Sequence, residues 1–263
     1  MLDTYDLSTA IRKALTDGGT DDLEREAEFA LAMADLEPID TQLTIVDRLR
    51  QGESPYHVFG CYPVPDRDTV VDIWPNVMPP GCATAPMIQA IREVTATRGQ
   101  VIADLGSGSG VLGIAALLEC ETRSGLFLDV DALSCACARD NVARLGLDRR
   151  ADVVQADVRA AADHLDGVEV VVANLPYVPS VDVATLPKRF TAYASTTAVD
   201  GGHGGLDLIT DTITRLQHSA SSCTAMVLQL GAGQASAVLQ HLEPGWHTSV
   251  RHCGPASIVL IER

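Results

Sequence analysis

The stretch Asn174-Leu175-Pro176-Tyr177 follows a short apolar run and brings together the residue types needed to grip a planar nitrogen. An asparagine at a strand end presents its side-chain carbonyl, and Leu175 presents a backbone carbonyl beside it. Pro176 keeps Leu175 extended, so the two oxygens point the same way. Such a pair accepts both hydrogens of one –NH2 group. An amide or conjugated amine is a weak nucleophile because its lone pair is delocalised. Two acceptors on its hydrogens draw electron density back to nitrogen and orient the lone pair. Tyr177 can stack on the planar group and face a positive charge. Chemistry of this kind is positioning, for which ~7–11 kcal/mol is the ceiling. It needs no general base, in keeping with the lack of an obvious His or Lys for that task. Taken alone, N-x-P-Y is also an ordinary turn after a strand.

A second stretch, Val101 to Ile114, runs V-I-A-D-L-G-S-G-S-G-V-L-G-I. A strand ends in an acid, falls through Gly106, Gly108 and Gly110, and resumes as an apolar helix. The glycines let backbone approach a ligand, and the helix start favours an anionic or carboxylate-bearing group. From Gly108 the letters also fit the dinucleotide pattern G-x-G-x-x-G, ending at Gly113. From Asp104 they give D-L-G-x-G-x-G, similar to the nucleotide loop of S-adenosylmethionine methyltransferases. The loop alone does not choose between the two. The Asn-Leu-Pro-Tyr stretch does, because a nicotinamide enzyme has no use for it. Asp104 and Asp129 fall at the ends of strands one βαβ unit apart, where a carboxylate can accept both hydroxyls of a ribose. Asp129, with Val130 beside it, takes that role, since Asp131 is better placed to cap the following helix. Asp157, followed by Val158, would accept from an adenine amino group; a turn-forming Asp is the competing reading.

These residues need a scaffold that sets several strand ends side by side. Apolar strands near 101–105, Leu126–Leu128, Asp152–Gln155 and Val170–Ala173 alternate with helical patterns, which implies an α/β fold with a doubly wound parallel sheet. Ligands of such sheets bind beyond the carboxyl ends of the strands. Strands near Ala225–Leu230 and Ser257–Ile261 flank a helix from Ala232 to Leu242, and Gly254-Pro255 predicts a hairpin that makes the last strand antiparallel. Residues 1–54 form a small helical domain, with helices over Leu7–Leu15, Asp22–Leu36 (capped by Thr20 or Asp21) and Thr41–Arg50. It would either recognise substrate or cover a sheet edge. Residues 55–85 read as a β-hairpin, from strands Val58-Phe59, Val70-Val71 and Ile73-Trp74 around Asp66-Arg67-Asp68, followed by a proline-rich loop over the site. Trp74, Met78 and Thr84 there, and His203 in a later glycine turn, are candidate substrate contacts. For Trp74, packing under the hairpin is the competing role. Residues 86–263 make the nucleotide-binding catalytic domain.

Composition narrows the partners. At 263 residues and a net charge of −16, the surface repels a phosphate backbone, and no basic cluster offsets it, which argues against nucleic acid. No uncharged apolar run reaches the length of a membrane span, and the acidic start Met1–Asp6 is unlike a signal peptide, so a cytoplasmic location is expected. The seven cysteines form no Cys-x-x-Cys pair and read as reduced, packed thiols. No ligand spacing supports a metal.

With these residues in place, the chain resembles a class I S-adenosylmethionine-dependent methyltransferase of the HemK type, the release-factor glutamine N5-methyltransferase family. Leu49 to Tyr56 (L-R-Q-G-E-S-P-Y) with Val58-Phe59-Gly60 is similar to that family's R-L-x-G-E-P-x-x-Y-x-x-G linker. Ala198 to Leu206 is similar to its A-L-x-G-G-x-D-G-L stretch, and Leu228-Gln229-Leu230-Gly231 with Gln234 to its L-E-I-G-x-x-Q. The resemblance implies a Rossmann-like sheet behind a helical docking domain joined by a hairpin. It also implies S-adenosylmethionine as donor and S-adenosylhomocysteine as product. Departures fall on the substrate side. N-P-P-Y is spelled N-L-P-Y, the P-R-P-E-T-E loop becomes Pro80-Gly81-Cys82-Ala83-Thr84-Ala85, and Ala194-Ser195 stands where Glu-Pro is expected. They favour a small-molecule nitrogen as acceptor, with a protein glutamine as the alternative; the same carbonyls would also position a hydroxyl. A non-catalytic S-adenosylmethionine-binding docking protein is the reading from a different class.

Overall fold

Residues Val170–Ala173 are apolar without interruption, and a strand of that kind persists only where both of its faces are covered. The computed structural model describes residues 6–65, 67–98, 100–120, 122–219 and 222–263. The acidic start at 1–5 and Asp66 of the hairpin lie outside the described residues. The chain opens with α1 (Leu7–Asp17), α2 (Leu23–Ala34), α3 (Ile39–Arg50) and the single turn α4 (Pro55–Val58), then a hairpin of β1 (Cys61–Pro63) and β2 (Val70–Asp72). After α5 (Thr84–Arg98) come β3 (Val101–Leu105), α6 (Val111–Glu119), β4 (Ser124–Asp129), α7 (Ala132–Arg144), β5 (Ala151–Gln155), a 3₁₀ turn at Val158–His164, and β6 (Val170–Ala173). The turn α8 (Lys188–Thr191) and helix α9 (Asp207–Ser219) lead to β7 (Ala225–Gly231), α10 (Ala235–Leu239), β8 (His247–Cys253) and β9 (Ala256–Glu262).

Among the described residues the main sheet has seven strands in the order β5-β4-β3-β6-β7-β9-β8. The strands from β5 to β7 run parallel, and β9 is antiparallel to both neighbours, as the Gly254-Pro255 turn predicts. Alternate residues serve opposite cores. Ile102, Val170, Val172 and Val227 face α5, α6 and the hairpin, whereas Ala103, Leu105, Val171 and Met226 face the 3₁₀ turn, α9 and α10. From β3 the chain moves outward one way to β4 and later returns to the other side as β6. That reversal is the switch point of an open α/β sheet, and it leaves a crevice at the carboxyl ends of β3 and β6. The glycine turn and Asn-Leu-Pro-Tyr stand at those two ends.

The differences from the sequence reading have local causes. Val58-Phe59 is not a strand, because the Ser54 hydroxyl accepts the Tyr56 N–H and Pro55 opens α4, a helix-start signature. The first hairpin strand is Cys61–Pro63, and after Ile73 makes a last bond to Gly60 O, Trp74 opens a turn by accepting the Val77 N–H. The helix expected over 232–242 shrinks to α10, because Gln234 bends back to accept the Gly231 N–H and Gly233 is left-handed. Strand β8 carries few apolar residues, being a largely exposed edge. Neither Thr20 nor Asp21 caps α2: the Thr20 hydroxyl donates to Glu26 and Asp21 turns toward Arg189. Among the described residues no helix is long and apolar enough to cross a membrane.

Helices α1–α3 enclose their own core, built on Ile11, Leu15, Ala30, Ile45 and Leu49. Two features join them to the sheet domain. Phe29 packs on Tyr56 and Phe59, with ring centroids 5.1 and 5.7 Å apart. More distinctive is a buried ion pair: Arg189 of α8, 3% exposed, binds Glu26 of α2, 1% exposed, through both guanidinium ends. Burial pushes the Glu26 carboxyl up and Arg189 pulls it back down, so the charge persists only while its partner does. Removing one member strands the other. Glu26→Gln is expected to destabilise the protein by ~3–5 kcal/mol, read as a lowered urea midpoint. Glu24→Gln, in a pair with Arg12 on the surface, should leave that midpoint in place.

Candidate active site

Alternating glycines are needed where a chain must turn sharply against a neighbouring segment. Gly106, Gly108 and Gly110 all lie in the left-handed region, at φ 72°, 55° and 83°. A Cβ on Gly106 would sit 2.9 Å from Leu175 Cδ2, so the turn rests directly on the Asn-Leu-Pro-Tyr segment. Gly108 faces the other way, and a Cβ there would meet nothing within 4 Å. Gly113, the last glycine of the dinucleotide-like spelling, serves packing: a Cβ would collide with the Phe127 ring at 2.2 Å.

Carboxylates hold this turn from two sides. Asp129 Oδ2 accepts the Gly108 N–H at 2.8 Å and Oδ1 accepts the Asp131 N–H at 2.9 Å, while burial raises its pKa. Asp131 caps α7 by accepting the Ser134 N–H at 2.8 Å, which leaves Asp129 free of that duty. Asp104 lies beneath the turn, 1% exposed, with Oδ2 accepting the Gly113 N–H at 2.9 Å and Oδ1 buried without a partner. It organises the helix start from below. The expectation that Asp104 reaches a ligand is therefore corrected, because backbone seals it off.

Among the described residues no hydrogen bond engages the Asn174 side chain or the Leu175 carbonyl. The segment that follows is cast between two others. The Val178 N–H donates to Val199 O and the Gly201 N–H to Val178 O, at 3.0 and 2.8 Å. A Cβ on Gly201 would lie 2.8 Å from Pro176 O, and one on Gly205 2.5 Å from Tyr177 O. From the β7 side Gln234 donates to Tyr177 O at 2.8 Å, and Gln229 donates to the Tyr177 hydroxyl at 3.0 Å. Burial pushes the Tyr177 phenol up, so it stays neutral. The half-buried ring packs beside Gly231 against the second core.

A family described as Methyltransferase small domain matches residues 82–234, more than half of the chain. The chain belongs to that family. Among named relatives of this methyltransferase domain, the release factor glutamine methyltransferase of Rhodospirillum rubrum is 31% identical over 170 residues, 65% of this chain and 52% of that protein. The ribosomal protein uL3 glutamine methyltransferase of Francisella tularensis is 28% identical over 152 residues, 57% of this chain and 46% of that one. The chain thus spans about half the length of the curated relatives it matches. Two solved structures share the fold. The ribosomal protein L11 methylase of Lactobacillus delbrueckii subsp. bulgaricus has a TM-score of 0.55 and 19% identity over 77% of this chain and 89% of its own. The hMettl16 catalytic domain, solved with an RNA hairpin, has a TM-score of 0.59 and 16% identity over 84% of this chain and 80% of its own.

The methyl donor implied by the methyltransferase family is S-adenosylmethionine, and the residues present fit it. A bare backbone face opens at Gly108, a carboxylate closes the end of β4, and Val130 beside it leaves an apolar side chain 61% exposed. Asp157 is exposed; it caps the 3₁₀ turn by accepting the Arg159 N–H, and a second lone pair stays available for a ligand. Val158 beside it is 7% exposed, its side chain packed in the second core. Thr84 is likewise withdrawn: it is buried, and its hydroxyl accepts the Gly81 N–H at the start of α5. Trp74 and Met78 are half-buried in the proline-rich loop, and His203 is exposed at the tip of the glycine turn. Among the described residues no hydrogen bond links these three to Asn174. Gln229, Gln234 and Arg189 were given no role by residue chemistry alone, although the first two fall in a stretch that resembles the HemK-type pattern.

Asp104 supplies a pH signature. Burial pushes its carboxyl up to about 7 against the opposing Gly113 N–H, so the folded protein holds a proton that the unfolded chain has already released. Stability from this group is full at low pH and lost as pH rises toward 7, at up to ~1.4 kcal/mol per pH unit. Asp104→Asn, which keeps an oxygen for Gly113, should lose that slope. Urea unfolding of both proteins between pH 4.5 and 8 checks it, with the variant gaining on the wild type as pH rises.

Proposed function

We propose that the chain transfers the methyl group of S-adenosylmethionine to the nitrogen of a planar amide, with a protein glutamine side chain as acceptor. The observation that carries this is the pair of unengaged oxygens, Asn174 side chain and Leu175 backbone, beside the glycine turn at the sheet's switch point. When bound, the donor supplies an electrophilic methyl on a positively charged sulfur. Asn174 and Leu175 accept the two amide hydrogens, hold the nitrogen lone pair in line, and compensate the charge that develops as the N–C bond forms and the C–S bond breaks. The surplus proton leaves nitrogen after transfer, so no residue has to remove it first. Leu175 packs against Gly106, which fixes the distance between the two half-sites. Tyr177, neutral and held by Gln229, gives the acceptor a rigid aromatic wall.

Both relatives described above act, by name, on protein glutamines, which supports that acceptor over the small molecule that the substrate-side departures favour. Asn174→Ala distinguishes an enzyme from a docking protein. It is expected to bind S-adenosylhomocysteine within twofold of wild type while methyl transfer falls about 100-fold, the scale of losing one oriented polar group at a reacting centre. The assay uses labelled S-adenosylmethionine with a release factor, then with a metabolite extract. Unchanged turnover in the variant removes the acceptor-pair mechanism, and label appearing only in the extract removes the protein acceptor.

A further inference from the structure

Helix α7 buries an unbroken face of Cys135, Ala138 and Val142, and one amide, Asn141, lies within it at 0% exposure. A fully buried amide is tolerated where all of its hydrogen-bonding capacity is used. Asn141 uses all four positions. Its Oδ1 accepts the Asp72 N–H at 2.8 Å and an Arg144 N–H at 3.2 Å. Its Nδ2 donates to Asp72 O at 2.9 Å and to Ser109 O at 3.1 Å. The two bonds to Asp72 weld the hairpin edge to α7, and Arg144 strengthens the weld by pairing with the Asp72 carboxylate at 2.9 Å and donating to Val70 O at 2.7 Å. The bond to Ser109 reaches the glycine turn between left-handed Gly108 and Gly110.

We propose that Asn141 is a positioning residue for the donor-binding turn, and that through it the hairpin Cys61–Asp72 becomes part of the frame of the nucleotide site. Ser109 has a freely rotating glycine on either side, and two side chains fix the stretch. Asp129 holds the Gly108 N–H, and Asn141 holds the Ser109 C=O. Asp129 is also the residue read as taking the ribose, so it has a ligand to serve. Asn141 has none, being sealed under the turn, and acts only through the backbone it holds. The hairpin lies outside residues 82–234, so a segment beyond the matched methyltransferase domain shapes that domain's central turn. The inference rests on the reading that this turn holds S-adenosylmethionine.

The test is calorimetric titration of S-adenosylhomocysteine into the full-length wild type, Asn141→Leu, Asn141→Asp and Ile45→Ala. Ile45 lies in the core of the helical domain and serves as a variant destabilised away from the turn. Wild-type binding checks the donor reading itself, and its absence defeats that reading before any variant is compared. Given wild-type binding, both Asn141 variants are expected to raise the Kd at least tenfold, with Ile45→Ala within twofold of wild type. Asn141→Asp keeps the shape and the acceptor oxygen but sets a carboxylate oxygen against the Asp72 and Ser109 carbonyls in place of the two donated bonds, so it reads the weld even if Asn141→Leu does not fold. Hydrogen exchange at residues 108–110 should quicken in Asn141→Asp and not in Ile45→Ala. Wild-type affinity in Asn141→Asp, or an equal loss of affinity in Ile45→Ala, overturns the proposal.

Discussion

The contact between Gly106 and Leu175 is the constraint from which the site follows. Two loops leave the centre of the sheet, one from β3 and one from β6, and they meet where any side chain on residue 106 would intrude on Leu175. Close approach fixes the separation between the backbone that would hold a nucleotide and the oxygens that would hold a nitrogen. Group transfer depends on that separation, since misplacement by an ångström at a reacting centre lowers the rate steeply. The left-handed backbone at 106, 108 and 110 is a consequence: the chain must reverse within a few residues without a Cβ on the inner side.

The two sides of this contact are supported differently. The glycine turn is held by short links inside the sheet domain, namely Asp129, Asp104 and Asn141. The segment after Tyr177 instead leans on distant parts of the chain. Arg189 is bound to Glu26, Pro187 packs near Gly19 and Lys188 near Gly52, and Ala194 bridges to Asn76 of the proline-rich loop. The helical domain is thus a fixed wall beside the acceptor side. Of the departures from the HemK-type pattern, Pro80–Ala85 and Ala194-Ser195 fall on this distantly supported side, and Leu175 on the contact itself.

Much of this architecture was legible where a residue's role depends on its near neighbours. Asp131 as a cap, the glycine turn after an apolar strand, and the antiparallel last strand each follow from a few adjacent residues. Roles set across the chain left little local trace. Glu26 and Arg189 look like surface charges on short helices until the fold brings them together, and Thr84 and Tyr177 look available until their hydroxyls are seen to be used inward. Asn141 did leave a signal, a lone amide in an apolar helical stripe. Strand β8 left none, since an edge strand need not alternate. Ser54-Pro55 was a capping signal outweighed by the β-propensity of Val58-Phe59.

The glycine stretch 198–206 and the Leu-Gln-Leu-Gly segment of β7 acquire a meaning that their residue types alone do not suggest. Neither is a ligand loop by its contacts. Gly201 and Gly205 leave room for the Pro176 and Tyr177 carbonyls, and Gln229 and Gln234 bind Tyr177 from the opposite side. Together they form a mould for one short backbone run, so their letters answer to the shape of Pro176–Pro179 rather than to the molecule bound next to it. That explains how both stretches can resemble the HemK-type pattern while the loop Pro80–Ala85 departs from it. In that loop Gly81 lies close to Asp21 of the helical domain, and burial, with Asp21 adding to it, raises the pKa of Cys82 there. The carboxylate beside this loop therefore comes from the helical domain, where the HemK-type loop would carry its own acids.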